Sequence, residues 1–378
     1  MSPVGRGRRR VLRRSTPAVL VTGIDETAME AVTVGLQFDL PFAVVVRHVL
    51  DVESQTLVRV VSDVTAVVER HVHHLEHACV SCALREDVVP TMERLAATGR
   101  WATVVAHLPV AAEALQACRV IETFADVAPH VHVAAVVAAL DGEELVEDLL
   151  GDTLLHERDL HTSHDDTRGV AETAAAVVEY ADAVVLSGTA EPAGLALLHA
   201  LARPGVPVVR EPSALDAAPL VAGAHDHART EAWIESVRPG ADVAHEAVAD
   251  HVWTLDLRSD RPFHPDRLLE SIERIGGGPR RSRGCFWLPS RPADVCEWDG
   301  AGGQLSIGSG APWGGRTPMT RIVVHGVRTG PLASSPDDVR RAFERCLLTD
   351  TEMTERGPFW EVAEDGLEPW LGDVRRAA

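Results

Sequence analysis

The chain has 378 residues, of which 46% are hydrophobic, and a formal net charge of −20. That length and apolar content suit two domains with buried cores. The acidity excludes broad, nonspecific nucleic-acid binding, and no apolar run reaches the ~20 residues that span a bilayer. Cys79, Cys82, Cys118, Cys285, Cys296 and Cys346 are too sparse for a disulfide framework. No apolar leader follows the N-terminal arginines, so a reduced, cytoplasmic setting is expected.

Residues 1–16 read as a disordered basic arm. Arg6, Arg8, Arg9, Arg10, Arg13 and Arg14 crowd into 6–14, a run that reads either as a solvated tail or as a minor contact with rRNA phosphates. All 36 basic residues are arginine, and the chain has no lysine and no asparagine.

Residues 17–23 (PAVLVTG) predict a short buried strand ending at Gly23. Further strands are expected at 42–47, 57–61, 103–108, 131–138 and 183–187, with helices at 84–98 and 169–180. Apolar strands alternating with helices predict an α/β domain over 17–203, built on a doubly wound, mainly parallel sheet. Residues 204–250, rich in Pro, Gly and acids and holding His225, His227 and His245, read as a linker. From 251 to 370 the pattern changes to strand (251–258), helix (265–275), glycine turn (276–279), strand (283–289), strand (320–325) and helix (336–348), a smaller α+β domain. Core packing is the expected role of Trp287, Trp298 and Trp313.

A strand, a glycine turn and a helix at 17–30 stand where a phosphate-binding P-loop belongs. That loop needs G-x-x-x-x-G-K-[ST], whose amides cradle phosphates, whose lysine reaches the β and γ phosphates and whose hydroxyl holds Mg²⁺. Here only Gly23 fits. Met29 stands at the lysine position and Glu30 at the hydroxyl position, and Asp25 and Glu26 repel phosphate. With no lysine elsewhere, GTP or ATP hydrolysis is not expected, and Gly23 reads as the vestige of a nucleotide site.

Residues 71–82 read His-Val-His-His-Leu-Glu-His-Ala-Cys-Val-Ser-Cys. Imidazoles with a C-x-x-C pair favour Zn²⁺ over Mg²⁺ or Ca²⁺, in a tetrahedral shell. The expected ligands are Cys79, Cys82 and one or two of His73, His74 and His77. A C-x-x-C pair also serves as a redox couple, or as two small residues at a helix start. His161 and His164 form a second H-x-x-H beside Asp165 and Asp166, which reads as a polar loop, and the same doubt attaches to His225 and His227.

These residues resemble the CobW-type proteins, the metal-chaperone branch of the SIMIBI-class P-loop GTPases. Ala78-Cys79-Val80-Ser81-Cys82 with Arg85, Glu86 and Asp87 is similar to that family's Gly-Cys-x-Cys-Cys motif and its following arginine and acid-led helix, with Ser81 at the middle cysteine. Residues 281–305 (RSRGCFWLPSRPADVCEWDGAGGQL) and 345–350 (RCLLTD) resemble the CobW C-terminal domain. The resemblance implies zinc on the motif cysteines, and the loss of the middle thiolate implies weaker binding, a neighbouring histidine as substitute, or no site at all. Two further nucleotide motifs depart from the family. Val104-Val105-Ala106-His107-Leu108-Pro109 lacks the acid and glycine of the second glycine motif, and Ser187-Gly188-Thr189-Ala190 stands where Asn-Lys-x-Asp reads guanine. Cys-Val-Ser-Cys with an irregular P-loop resembles the actinobacterial ribosome-remodelling branch. That resemblance implies a non-hydrolysing protein of zinc limitation whose partner is the ribosome or a ribosome-hibernation factor. The alternatives are a zinc metallochaperone serving a client metalloprotein, and an atypical active GTPase.

Overall fold

The computed structural model describes residues 15–75, 79–123, 126–235 and 250–374. The basic arm up to residue 14, His77 and His245 lie outside these residues. In chain order the first domain runs β1 (Thr16–Gly23), α1 (Glu26–Asp39), β2 (Ala43–Asp51), β3 (Thr56–Ser62), β4 (Val67–His74), α2 (Val80–Ala83), α3 (Val89–Ala97), β5 (Thr103–His107), α4 (Ala114–Thr123), β6 (Val131–Asp141), α5 (Leu145–Leu150), α6 (Val170–Tyr180), β7 (Ala183–Ser187), α7 (Pro192–Leu201), β8 (Val208–Val209), α8 (Ala217–Val221) and α9 (His227–Ile234).

Eight strands form one sheet in the order β4-β3-β2-β5-β1-β6-β7-β8. From β2 to β8 the pairing is parallel, whereas β2, β3 and β4 pair antiparallel. The parallel strands are apolar along their length because helices cover both faces. Val19, Leu20, Val104, Val105, Val136, Val137, Val184 and Val185 are fully buried. The parallel topology brings the carboxyl ends of β1, β5, β6 and β7 to one end of the sheet, the usual ligand end of this architecture.

The second domain runs β9 (Val252–Ser259), α10 (Pro265–Gly276), β10 (Arg281–Phe286), β11 (Cys296–Ala301), β12 (Gln304–Ser309), β13 (Thr320–Val327) and α11 (Pro336–Cys346). Its five strands are antiparallel, in the order β12-β11-β10-β13-β9. The helices α10 and α11 pack on a core that includes Trp253, Phe263, Phe286, Trp298 and Phe343. Trp298 and Trp313 are buried as expected. The Trp298 indole donates to Ser282 Oγ at 2.9 Å and that of Trp313 to the Asp294 carbonyl at 2.9 Å.

Charge and close backbone contact hold the two domains together. Glu179 at the end of α6 accepts from Arg281 Nε at 2.8 Å and Nη2 at 3.0 Å, and Arg283 Nη1 lies 3.2 Å away; all three side chains are buried. Arg281 also bonds Asp299. At Gly302, with φ +55°, a Cβ would fall 1.9 Å from the Gly151 carbonyl oxygen of the first domain, so no other residue fits there without separating the domains.

Two segments differ from the sequence reading. The stretch expected as a linker carries β8, which extends the sheet, and α8 and α9, whose Leu220 and Trp233 are buried. Its buried residues are too few and too scattered among Pro, Gly and acids to show a period. Residues 67–74 form a strand that the apolar pattern did not announce. The inward face of β4 carries Glu69, His71 and His73 in place of aliphatic residues, so the usual alternation is missing.

Candidate metal centre

Cys79 and Cys82 come together at the start of a helix. Cys79 is the N-cap of α2 in an extended conformation, and its Sγ accepts the Cys82 backbone N–H at 3.2 Å. Both cysteines are partly exposed and unpaired by disulfide. The hydrogen bond with Cys79 pushes the Cys82 thiol up, with burial adding to it. A bound cation would displace the protons of both thiols, since thiolates are the metal ligands. Ser81, in the place of the family's middle cysteine, turns to α4 and donates to Gln116 Oε1 at 2.8 Å.

The helix that begins at Cys79 runs through one π turn, Leu84–Val88, into α3. Asp87, in that turn, gathers the polar side chains of the neighbouring strands. His48 Nε2 lies 2.8 Å from Oδ1, while His73 Nε2 at 2.9 Å and Arg59 Nη1 at 2.6 Å meet Oδ2. Burial pushes the Asp87 carboxyl up, but hydrogen bonds from His48 and Arg59 outweigh it and hold the group well below the usual carboxylate range. An ionised carboxylate only accepts, so His48 places its N–H at Nε2. His73 Nε2 is close enough to the same carboxylate for an ion pair but makes no hydrogen bond to it.

Strand alternation separates the two adjacent histidines. His73 points to the Asp87 face, where its ring stacks on His71 at 4.1 Å between centroids, and His74 points to the other. One tetrahedral ion therefore cannot take both while β4 stays paired. Among the described residues no three His, Cys, Asp or Glu side chains gather into a shell for a metal ion. Cys79 and Cys82 could supply two of the four ligands that zinc takes, and His77 lies outside the described residues. His161 and His164 flank a polar loop in which Asp166 binds Thr162 and Arg168.

Protein groups fill the nucleotide end of the sheet. Two residues join β1 to α1. The first turn of α1 is capped from within, since Asp25 Oδ1 accepts the Ala28 N–H at 2.6 Å where a phosphate would sit. Met29 is fully buried, and Glu30 pairs with Arg47 at 2.6 Å. Gly23 is required by packing, because a Cβ there would lie 2.3 Å from the Ala139 carbonyl oxygen on β6. At the end of β5, His107 is buried with its Nδ1 2.9 Å from Thr33 Oγ1, and burial lowers its pKa to about 4. Sequence reasoning missed Asp87, His48 and His107 as organising groups. Asp87 was visible only as part of an acid-led helix, and nothing in the sequence marks the two histidines.

Comparison with known proteins identifies both domains. Residues 27–199 match the CobW/HypB/UreG nucleotide-binding domain, and residues 252–347 match the C-terminal domain of the cobalamin synthesis protein cobW. The first match begins inside α1, past Gly23, Asp25 and Glu26 and ahead of Met29 and Glu30. A Mycobacterium tuberculosis protein named as a zinc chaperone is 27% identical over 95% of this chain and 94% of its own length. A zinc-regulated GTPase metalloprotein activator of Dictyostelium discoideum is 22% identical over 65% of this chain and 54% of its own. The Zn(II)-bound YjiA GTPase of E. coli overlays 88% of this chain and 99% of its own at 13% identity, with a TM-score of 0.34. No helix among the described residues is long and apolar enough to cross a membrane. The chain is built from a CobW/HypB/UreG nucleotide-binding domain followed by a CobW C-terminal domain.

Proposed function

We propose that this protein binds zinc at Cys79 and Cys82 and passes it to a client protein, without hydrolysing nucleotide. The observation that carries the reading is the half-filled dithiol site, partly exposed at a helix start. A structural zinc site closes all four positions, whereas a site that must release its ion keeps positions for incoming ligands. Zinc would move by ligand exchange, a client thiolate or imidazole entering as Cys79 or Cys82 leaves. His73 or His77 would hold a third position between transfers. The zinc chaperone of M. tuberculosis, similar over nearly the whole chain, supports the reading.

Elemental analysis of reduced protein tests it. About one zinc per chain is expected, and near zero for Cys79→Ser/Cys82→Ser. Absence of zinc from the wild type after reconstitution sinks the proposal. The filled α1 N-terminus and buried Met29 predict no saturable GTP binding and no Mg²⁺-dependent phosphate release. A fluorescent-nucleotide titration and a phosphate assay check this, and saturable binding would revive the atypical GTPase.

A second reading, ribosome remodelling or recruitment of a hibernation factor under zinc limitation, is favoured by the arginines of 6–14 and by Ser81 in the cysteine motif. With a net charge of −20, protein contacts should dominate such docking. Ribosome binding should then weaken only slightly as salt rises, and a slope of many released counterions would contradict it.

A further inference from the structure

The free edge of the first sheet carries an apolar and basic strip. β4 pairs with β3 on one flank, and no strand among the described residues covers the other. Register aligns Val49, Val58 and Val72 in one cross-strand row and Arg47, Val60 and Arg70 in the next. Val72 is 49% exposed and Val67 63%, while Phe38 and Phe42 at the α1–β2 connection are 73% and 75% exposed. Of the eleven exposed large apolar side chains among the described residues, eight fall within residues 34–72. Single exposed valines are ordinary, but the cross-strand row of Val49, Val58 and Val72 ends at the unpaired edge, where Val72 is exposed.

The charge of the strip identifies its partner. Arg59 and Arg94 hold Glu69, so the exposed polar groups of β4 are Arg70, His71 and His74. Arg70 has no ion pair among the described residues. A basic strand on a chain of net charge −20 attracts acidic groups. The same arginine opposes a second β4, since like charges would meet across the new pairing.

We infer that β4 is a docking edge for an extended segment of the zinc-receiving protein, one that alternates acidic and aliphatic residues and adds to the sheet as a further strand. The identity of this partner rests on the zinc-transfer reading. Five residues lead from His74 to Cys79, so the docked strand ends within roughly 17 Å of the dithiol. Backbone pairing supplies affinity, Val72 packs beside the aliphatic side chains of the added strand, and Arg70 selects for acid.

The test uses the full reduced chain without zinc and fluorescent peptides of alternating Glu and Val, of alternating Lys and Val, and of Glu and Val with alternate amides N-methylated. Saturable binding of the Glu/Val peptide is expected, about tenfold tighter than either of the others. Arg70→Glu, at an exposed site, should reverse the preference between the acidic and basic peptides. No binding of the Glu/Val peptide at about 1 mM, an unchanged preference in Arg70→Glu, or a dimer by sedimentation that the peptide does not disperse would each overturn the inference. Cys79→Ser/Cys82→Ser should bind the peptide as the wild type does. Peptide binding by a wild type that takes no zinc would leave the docking edge standing and remove the zinc reading. Zinc loading without peptide binding would do the reverse.

Discussion

Glu179→Ala is expected to cost roughly 3–5 kcal/mol of folding stability, the range for removing one partner of a buried charged cluster. The loss would not be that of one contact. Arg281 keeps Asp299, but the buried Arg283 guanidinium keeps only the Ile234 carbonyl, 3.3 Å from its Nη1, among its recorded hydrogen-bond acceptors. Burial already lowers the Arg283 pKa, with Glu179 opposing that fall. Without the carboxylate, a full positive charge stays in a site that excludes water. Glu179→Gln keeps the shape and one acceptor and should cost less. Adding Arg283→Met to Glu179→Gln should recover part of the loss, since an apolar group of similar volume leaves nothing unpaired. Urea unfolding of the variants measures each step. A cost below about 1 kcal/mol for Glu179→Ala would place the interface energy elsewhere, for instance at Gly302.

The second large effect is the loss in acid of the stability contributed by buried, neutral His107. His107 titrates near 6.5 when exposed and at about 4 in the folded protein. Its folded pKa is depressed, so the unfolded chain takes up the proton first. The associated stability is present above pH 6.5 and is lost as pH falls toward 4, reaching roughly 3 kcal/mol. Burial is the main cause, and Arg47 and His48 add to it. Asp148 acts in the opposite sense across the same window. Burial raises its pKa to about 6 despite Arg158, so its contribution grows as pH falls through 6. The net pH profile of the wild type is therefore shallow, and the informative quantity is the difference between wild type and His107→Gln. That difference should shrink from pH 7 to pH 4 in thermal unfolding. A constant difference would show that His107 does not change protonation on folding.

The parts of the fold visible in the sequence were those where a single physical requirement dominates. β1, β5, β6 and β7 are buried on both faces and read as unbroken apolar runs, and the change of pattern near residue 251 marked the second sheet. The C-x-x-C pair was visible because its two residues are close in sequence and in space. The candidate histidines were less so. A histidine run has no phase by itself, and only the strand conformation of β4 sends His73 to Asp87 and His74 away. The hub at Asp87 joins residues from β2, β3, β4 and the π turn, separated by up to 39 positions, and no local pattern records such a meeting. β4 stayed hidden because its inner face meets charges where most strands meet a core.

The π turn between Cys82 and α3 also sets an angle. Each residue of an α-helix turns the chain by about 100°, and a π turn takes one more residue into the same advance. Removing a single residue from Leu84–Val88 would therefore swing the two thiols around the helix axis by about that angle relative to the face anchored in the core, with every ligand still present. An insertion or deletion at this point changes the direction in which a bound ion faces, and so which neighbour it can meet. In that sense the turn is a dial for partner choice, adjustable by chain length alone.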